Sequence, residues 1–550
     1  MFGPALTTAI AVGLSGTAAA CGGGGSSGGG VAMAPATAAP STPGVPAGAP
    51  ASPPGTSQPG TTPISWEPAP AGGARLGTNL GYVTHYMPDW PFVDVFKTSQ
   101  VNSDGFPWKV VNPKGAKNPA LDAEGYPRGL AAGQAVTAIC MSGGRYPGGV
   151  YTLLFDGDGE VHLSLDAEAT RASHDGRGTF SRPVTVKPTS SGIQVRIVRS
   201  NPANHVRNIR LIMPGFDERT TFHPLFLDRL RPFAVLRFLN WGRVNRSKIS
   251  KWSQRTPAGY RTQSHEPGVA YEYMVQLCNT LGKDPWICVP HLADDDYVRR
   301  LATLLRDTLD PRLKVHIEYS NEVWNGIFSQ SGHVKREADK NKRSFVQQYV
   351  ARSVEIFRIF EQTFGGTQRL VRVISGQSNN AGIAKQAVAA LPAGAADALA
   401  IAPYFGGHLG NSKNWQATRG LTVDRLIDAC AQDIQTRRAE VRNHLAMARS
   451  AGLQLVAYEG GQHLAGVGNA ANDERLVNLL IAANRHPRMA QVYRDYLAMW
   501  RTEANSLFCH YSFVYAPKKH GSWGALEHMA QTGAPKYDAL VEAARVWHGR

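Results

Sequence analysis

"VHIEYSNEVWNGIF", Val315 to Phe328, decides how this chain is read. The first half has the apolar run of a strand, and the second half breaks into polar and aromatic residues. Glu318 and Glu322 stand four apart, with Asn321 beside the second. In a regular strand, residues of equal parity share a face, so both carboxylates point the same way with roughly 13 Å of rise between them. That spacing predicts one glutamate inside a sheet or barrel and one at its mouth. A buried glutamate is costly without a partner, so Glu318 is expected to meet an arginine or a hydrogen-bond network and to serve structure.

Outward from this stretch the same rhythm repeats from about residue 216. Apolar strand-like runs such as "FAVLRFLNW", "DPWICVPHL", "RLVRVISGQ", "DALAIAPYFGG", "LQLVAYEGG" and "SLFCHYSFVYA" alternate with amphipathic, helix-like stretches. Near-continuous apolar strands between helices imply a parallel sheet buried on both faces. Seven such strands, with "TNLGYV" near residue 80 as an eighth, predict a closed (β/α)8 TIM barrel. An open doubly wound sheet is the alternative, but it would want a Gly-rich phosphate turn after its first strand, and none stands out.

Between about 105 and 215 the pattern is all-β. "GIQVRIVRS" alternates, and "GVYTLLFDGDGEVHLSLDA" is read as two alternating runs around an Asp-Gly turn. The predicted organisation is therefore a first barrel strand and loop over 76–104, an inserted sandwich-like β-rich domain over 105–215, and the remainder of the barrel over 216–550. Asp156, Asp158 and Glu160 do not make a calcium loop, because Ala167 stands where the terminal acid belongs.

Ahead of the barrel the composition changes. From Met1 to Ala74 the one charged side chain is Glu67, and the rest is largely Gly, Ala, Ser, Thr and Pro. Such a stretch has little to bury against the entropy of ordering, so residues 22–75 are expected to form a disordered tether. Residues 1–21 read as a signal peptide, too short to span a membrane. Ala18-Ala19-Ala20-Cys21 followed by glycines resembles a bacterial lipoprotein cleavage site, which would make Cys21 a lipidated first residue; plain secretory cleavage after Ala20 is the alternative. Either way the expectation is export: an outer-membrane or cell-surface lipoprotein, or a secreted or periplasmic protein.

The formal net charge of +16 could suit an acidic polymer or nucleic acid. The arginines, however, sit in helix-like segments such as "RRLATLLRD" and "QTRRAEVRNH" with acids interleaved, which reads as solvated helix faces. No nucleic-acid partner is expected, and a membrane only through the N-terminal anchor. Cys140, Cys278, Cys288, Cys430 and Cys509 show no CxxC spacing, which argues against structural zinc and a disulfide framework. Cys288 and Cys509 read as buried thiols. His291 leads "HLADDDYV", where consecutive acids before a helix are explained by capping and the helix dipole, so no metal and no cofactor is expected.

In a barrel of this kind, reactive side chains project from the carboxyl ends of the strands. Those ends carry two carboxylates, Glu322 after the fourth strand and Glu459 after the seventh. Two glutamates facing across a barrel mouth suit glycoside hydrolysis, in which one carboxyl protonates the leaving oxygen while the other attacks the anomeric carbon, at a separation of about 5 to 5.5 Å for retention. "SNEVWN" and "AYEGG", joined to Arg237 on the second strand and Trp523 after the eighth, resemble the clan A glycoside hydrolases, retaining (β/α)8-barrel enzymes.

The resemblance implies a β-glycan substrate, Glu322 as general acid/base and Glu459 as nucleophile. It further implies Asn321 on the sugar 2-hydroxyl, Arg237 holding the nucleophile ionised, Tyr404 donating to it, Trp523 as apolar floor, and His291 lining the pocket. Trp241, Trp324 and Trp415 are candidate stacking platforms. A non-catalytic carbohydrate-binding protein and a transglycosylase using the same glutamates remain as rival readings; sugar, linkage and oligomeric state are not readable from one sequence.

Overall fold

The computed structural model describes residues 73–102, 105–113 and 117–549. The signal peptide, the candidate lipidation site Cys21 and nearly all of the tether lie outside the described residues. Fourteen strands run in order as β1 (Arg75–Asn79), β2 (Lys109–Val111), β3 (Ala135–Cys140), β4 (Gly149–Leu165), β5 (Thr170–Val186), β6 (Ile193–Ser200), β7 (Arg207–Ile212), β8 (Val235–Arg237), β9 (Asp284–Val289), β10 (Val315–Tyr319), β11 (Leu370–Ser375), β12 (Ala398–Ile401), β13 (Gln454–Ala457) and β14 (Leu507–His510). The helices are α1 (Pro224–Leu230), α2 (Tyr271–Leu281), α3 (Asp295–Thr308), α4 (Ser329–Lys340), α5 (Phe345–Phe364), α6 (Ala381–Ala390), α7 (Trp415–Thr418), α8 (Val423–Ser450), α9 (Glu474–Arg485), α10 (Arg488–Glu503) and α11 (Pro535–His548). No described helix is long and apolar enough to cross a membrane.

Strands β1 and β8 to β14 close into a parallel barrel, β1 pairing with both β8 and β14. This is the expected (β/α)8 architecture. Its strands are short and buried on both faces, which is why the sequence shows them as plain apolar runs. The interior is filled by Val235, Trp286, Cys288, Val373, Ala400 and Cys509 among others, and all five cysteines in the described residues are free and buried. Gly77 makes room for this packing: a Cβ there would stand 2.6 Å from Cys509 Sγ and 2.9 Å from the Val235 carbonyl.

The inserted β-rich block lies between β1 and β8. Its strands form one six-stranded antiparallel sheet, ordered β2-β3-β6-β4-β5 with β7 also on β4. The Asp-Gly turn read from the sequence is not there. β4 runs unbroken for 17 residues, burying alternate side chains from Tyr151 to Leu163 straight through the Asp-Gly-Asp-Gly segment. The glycines serve close approach instead: a Cβ on Gly157 would lie 2.0 Å from the His205 carbonyl, and one on Gly159 2.2 Å from Val206 Cγ2. Gly157 takes a positive φ of 92°, where the β4–β5 register shifts. Asp156 and Asp158 hold neighbouring polar groups, Asp158 through Arg199 at 2.7 Å and Asn201 at 2.8 Å.

The sheet is fastened to the barrel's first loop. Asp94 Oδ1 accepts from the Leu211 N–H at 2.9 Å, the Ser142 N–H donates to the His85 carbonyl at 2.7 Å, and buried Arg261 reaches Ser99 Oγ at 2.9 Å while its guanidinium lies 4.2 Å from the Trp108 ring.

Candidate active site

The first, fourth and seventh barrel strands each bring a side chain to Arg237, the last residue of β8 and wholly buried. Its guanidinium donates to Asn79 Oδ1 at 3.0 Å, Asn321 Oδ1 at 2.8 Å, Glu459 Oε1 at 3.0 Å, and Glu318 Oε2 at 2.8 and 3.2 Å. The Trp286 and Tyr458 rings lie 5.5 and 5.0 Å from its carbon. One cation thus joins the first, second, fourth and seventh strands.

Glu318 is the expected buried, partnered glutamate. Besides Arg237 it accepts from Trp286 Nε1 at 2.9 Å and Ser375 Oγ at 3.1 Å. The regular strand assumed from the sequence stops short, however. β10 ends at Tyr319, and Ser320 and Glu322 take left-handed conformations with φ of 60° and 40°. For non-glycine residues each such conformation costs about 1 to 3 kcal/mol. The chain curls, so Asn321 reaches the same guanidinium as Glu318 instead of standing a strand-length above it. Asn321 Nδ2 also donates to Asn245 Oδ1 at 3.2 Å.

Past this turn, Glu322 accepts from Tyr458 OH at 3.0 Å and Asn325 Nδ2 at 3.0 Å, both neutral donors. Glu459 accepts from Arg237 and, at 2.8 Å, from Tyr404 OH. Adjacent residues of one strand end, Tyr458 and Glu459, therefore touch both halves of the pair. Burial raises both carboxyl pKa values. At Glu459 the Arg237 charge opposes this and the charge of Glu322 adds to it; two near carboxylates resist ionising together. Arg237 donates directly to Glu459, whose pKa burial still lifts to about 7, while the donors on Glu322 are the neutral Tyr458 and Asn325.

The mouth opens into a cavity of about 240 Å³. Glu322, Trp324, Tyr404 and Tyr458 line it, together with Asp433, Arg437 and Glu440 of α8. On the α8 side, Arg437 donates to Glu440 at 2.8 and 2.9 Å and to Asp433 at 3.3 Å, and Glu440 accepts from Ser378 Oγ at 3.0 Å. These residues lie in "QTRRAEVRNH" and just before it, so part of that helix is a cavity wall and not the solvated face expected.

The structure gathers Arg237, Asn321, Glu322, Trp324, Tyr404 and Glu459. Trp523 is 2 % exposed and edge-on to Tyr404 and His463 at 5.9 and 4.9 Å, supporting two rings that line the cavity. Trp241 and His291 are corrections. Trp241 is 1 % exposed and packed against Phe226, Phe92 and Phe238 at 6.3, 6.1 and 5.6 Å, because burying an indole among phenyl rings outweighs leaving it at the rim. His291 is buried against His333 of α4 at 5.4 Å and does not line the cavity; burial lowers its pKa to about 4. The acids after it behave as expected, Asp294 capping α3 through the Tyr297 N–H at 2.8 Å. Trp415 opens α7 under Arg419, away from the cavity lining.

Sequence reasoning missed Tyr458, Asn325 and the α8 wall. The first two were within sight, as the aromatic before Glu459 and the amide three residues after Glu322.

No protein-family profile matches this chain, and no curated protein matches it in sequence. Solved structures with a similar chain course include a GH51 arabinofuranosidase from Xanthomonas axonopodis pv. citri (12% identity, TM-score 0.39, 60% of this chain and 67% of that one). A GH5 xyloglucan-specific endo-β-1,4-glucanase from a metagenomic library shows 13% identity and a TM-score of 0.35, over 58% and 86% of the two chains. A Bacteroides ovatus GH5 xyloglucanase shows 13% identity and a TM-score of 0.34, over 72% and 96%.

Proposed function

We propose that the protein is a retaining glycoside hydrolase acting on β-linked glycans, exported and tethered by its N-terminal segment. The observation that carries the reading is the pair Glu322 and Glu459 at the ends of β10 and β13, held by Arg237, Tyr404 and Tyr458, with Glu322, Tyr404 and Tyr458 lining a cavity. Glu459, the carboxylate with a cation and a phenol on it, attacks the anomeric carbon; Glu322, with neutral donors, gives its proton to the leaving oxygen and then takes one from water. Asn321, fixed by Arg237 and Asn245, stands ready for the sugar hydroxyl next to the reacting carbon. Tyr404 and Arg237 stabilise the charge left on Glu459 when the covalent intermediate breaks down.

The test is turnover of a panel of β-linked aryl glycosides and polysaccharides by the wild type and by Glu459→Ala and Glu322→Ala. Expected is turnover by the wild type and its loss by several orders of magnitude in Glu459→Ala, with Glu322→Ala retaining partial activity on aryl glycosides whose leaving group needs no proton. Equal turnover by Glu459→Ala removes the nucleophile, and an inert wild type that still binds glycans favours a binding protein.

A further inference from the structure

In the cavity wall contributed by α8, the cation is neutralised: Arg437 pairs with Glu440 and Asp433. In the loops after β1, β8 and β14, three tyrosines gather around two cations, Arg243 and Lys518. Lys518 Nζ lies 5.2 Å from the Tyr86 ring and 5.7 Å from the Tyr515 ring, and Arg243 lies 5.6 Å from the Tyr82 ring. Arg243 donates to the Val83 and Ser264 carbonyls at 3.0 and 3.3 Å, and Lys518 has no ion pair among the described residues. Tyr86 is 49 % exposed, the one exposed Phe, Tyr or Trp ring among the described residues.

These loops reach the catalytic pair through packing, since Tyr404, which donates to Glu459 at 2.8 Å, lies on one core cluster with Tyr515. Tyr515 packs on the same cluster as Tyr404 and Trp523. Lys518 stands in a tight turn, its N–H and carbonyl exchanging hydrogen bonds with Gly521 at 3.1 and 2.9 Å, and Trp523 Nε1 ties that turn down through the His520 carbonyl at 3.0 Å. On the other flank, His85, next to Tyr86, is held by Ser142 of the inserted domain through its ring at 2.8 Å and its carbonyl at 2.7 Å.

We propose that Tyr86, Tyr515 and Lys518 form a subsite for an anionic sugar residue, so that the glycan bound here is acidic. A pyranose lays its C–H face on a tyrosine ring, and an ammonium held over two rings with no carboxylate beside it meets the sugar's carboxylate or sulfate ester. The inserted sheet then has a role, as the support that fixes the Tyr86 loop at the rim. This inference rests on the glycosidase reading for the location of the sugar chain.

The experiment measures binding to full-length protein carrying Glu459→Gln, which prevents turnover. The probes are three tetrasaccharides: β-linked glucuronate–glucose, its carboxyl-reduced form, and the reduced form bearing a sulfate ester. A charged probe is expected to bind about three- to fivefold tighter than the neutral one at low salt; which charged probe gains names the anion. Lys518→Ala, an exposed change, erases that ratio and leaves the neutral probe unaffected, while Tyr86→Ala weakens all three. Equal affinity for charged and neutral probes, a preference that survives Lys518→Ala, or no binding by any probe overturns the subsite. Cleavage of the neutral probe by the wild type without charge preference would sink the subsite and leave the glycosidase reading standing; charge-selective binding with no cleavage does the reverse.

Discussion

Inside the barrel, Glu318 is fully buried and surrounded by donors: a guanidinium, an indole and a hydroxyl. Four residues later, across a left-handed turn, Glu322 meets a phenol and an amide and faces a cavity. The residue type is the same and so is the strand. What differs is whether a cation meets the carboxylate directly. A carboxylate paired to a buried guanidinium is a fixed charge that holds strands together. One left with neutral donors in a desolvated rim keeps a proton it can give away.

The largest expected effects are opposite in sign. Glu318→Ala leaves Glu459 as the one carboxylate on Arg237 and strips the acceptor from Trp286 and Ser375, and should cost roughly 3 to 5 kcal/mol of stability, read as a fall in Tm. Glu322→Gln should abolish turnover of substrates with poor leaving groups yet leave the protein as stable or more so near neutral pH. The sign follows from linkage: burial raises the Glu322 pKa, so its penalty is absent below the ordinary carboxyl pKa, grows as pH rises toward the raised value, and persists above it. A Tm loss in Glu322→Gln as large as that of Glu318→Ala would break the comparison.

A smaller effect concerns pH. In the proposed mechanism Glu459 acts ionised and Glu322 protonated, so kcat/KM should be bell-shaped with both limbs above the usual carboxylate range. The Tyr458 hydroxyl favours ionised Glu322; Tyr458→Phe should move the alkaline limb to higher pH, and an unmoved limb would separate Glu322 from the proton transfer. Smallest is Ser375→Ala, which removes the donor on Glu318 Oε1 and should cost about 1 kcal/mol of stability with the pH profile unchanged.

Much of this was legible in the residues. The barrel strands were visible because parallel strands buried on both faces must be apolar throughout, as in "DALAIAPYFGG" and "LKVHIEYSNE". The partnered Glu318 followed from the cost of burying a charge. The Asp-Gly segment of β4 misled because glycine serves a turn and a close backbone approach equally well, and only the position of the His205 carbonyl distinguishes them. β5, "TRASHDGRGTFSRPVTV", escaped notice because much of it is exposed and polar. Trp241 resembled a rim platform and proved to be core, since the loop after β8 folds it onto Phe226. The α8 wall gave no sign, because Arg437 and Glu440 have the same spacing as a solvated ion pair.

By itself, the amino-acid order determined the alternation of strand and helix, the closure into eight strands, and which two strand ends carry carboxylates, because these follow from local periodicity and the cost of burying charge. Only the tertiary structure decided which carboxylate shares the guanidinium, how the left-handed turn at Ser320 and Glu322 aims the second one, and which helix and loops wall the mouth. Those depend on groups far apart in the chain meeting in space, where a few ångströms separate an ion pair from a proton donor.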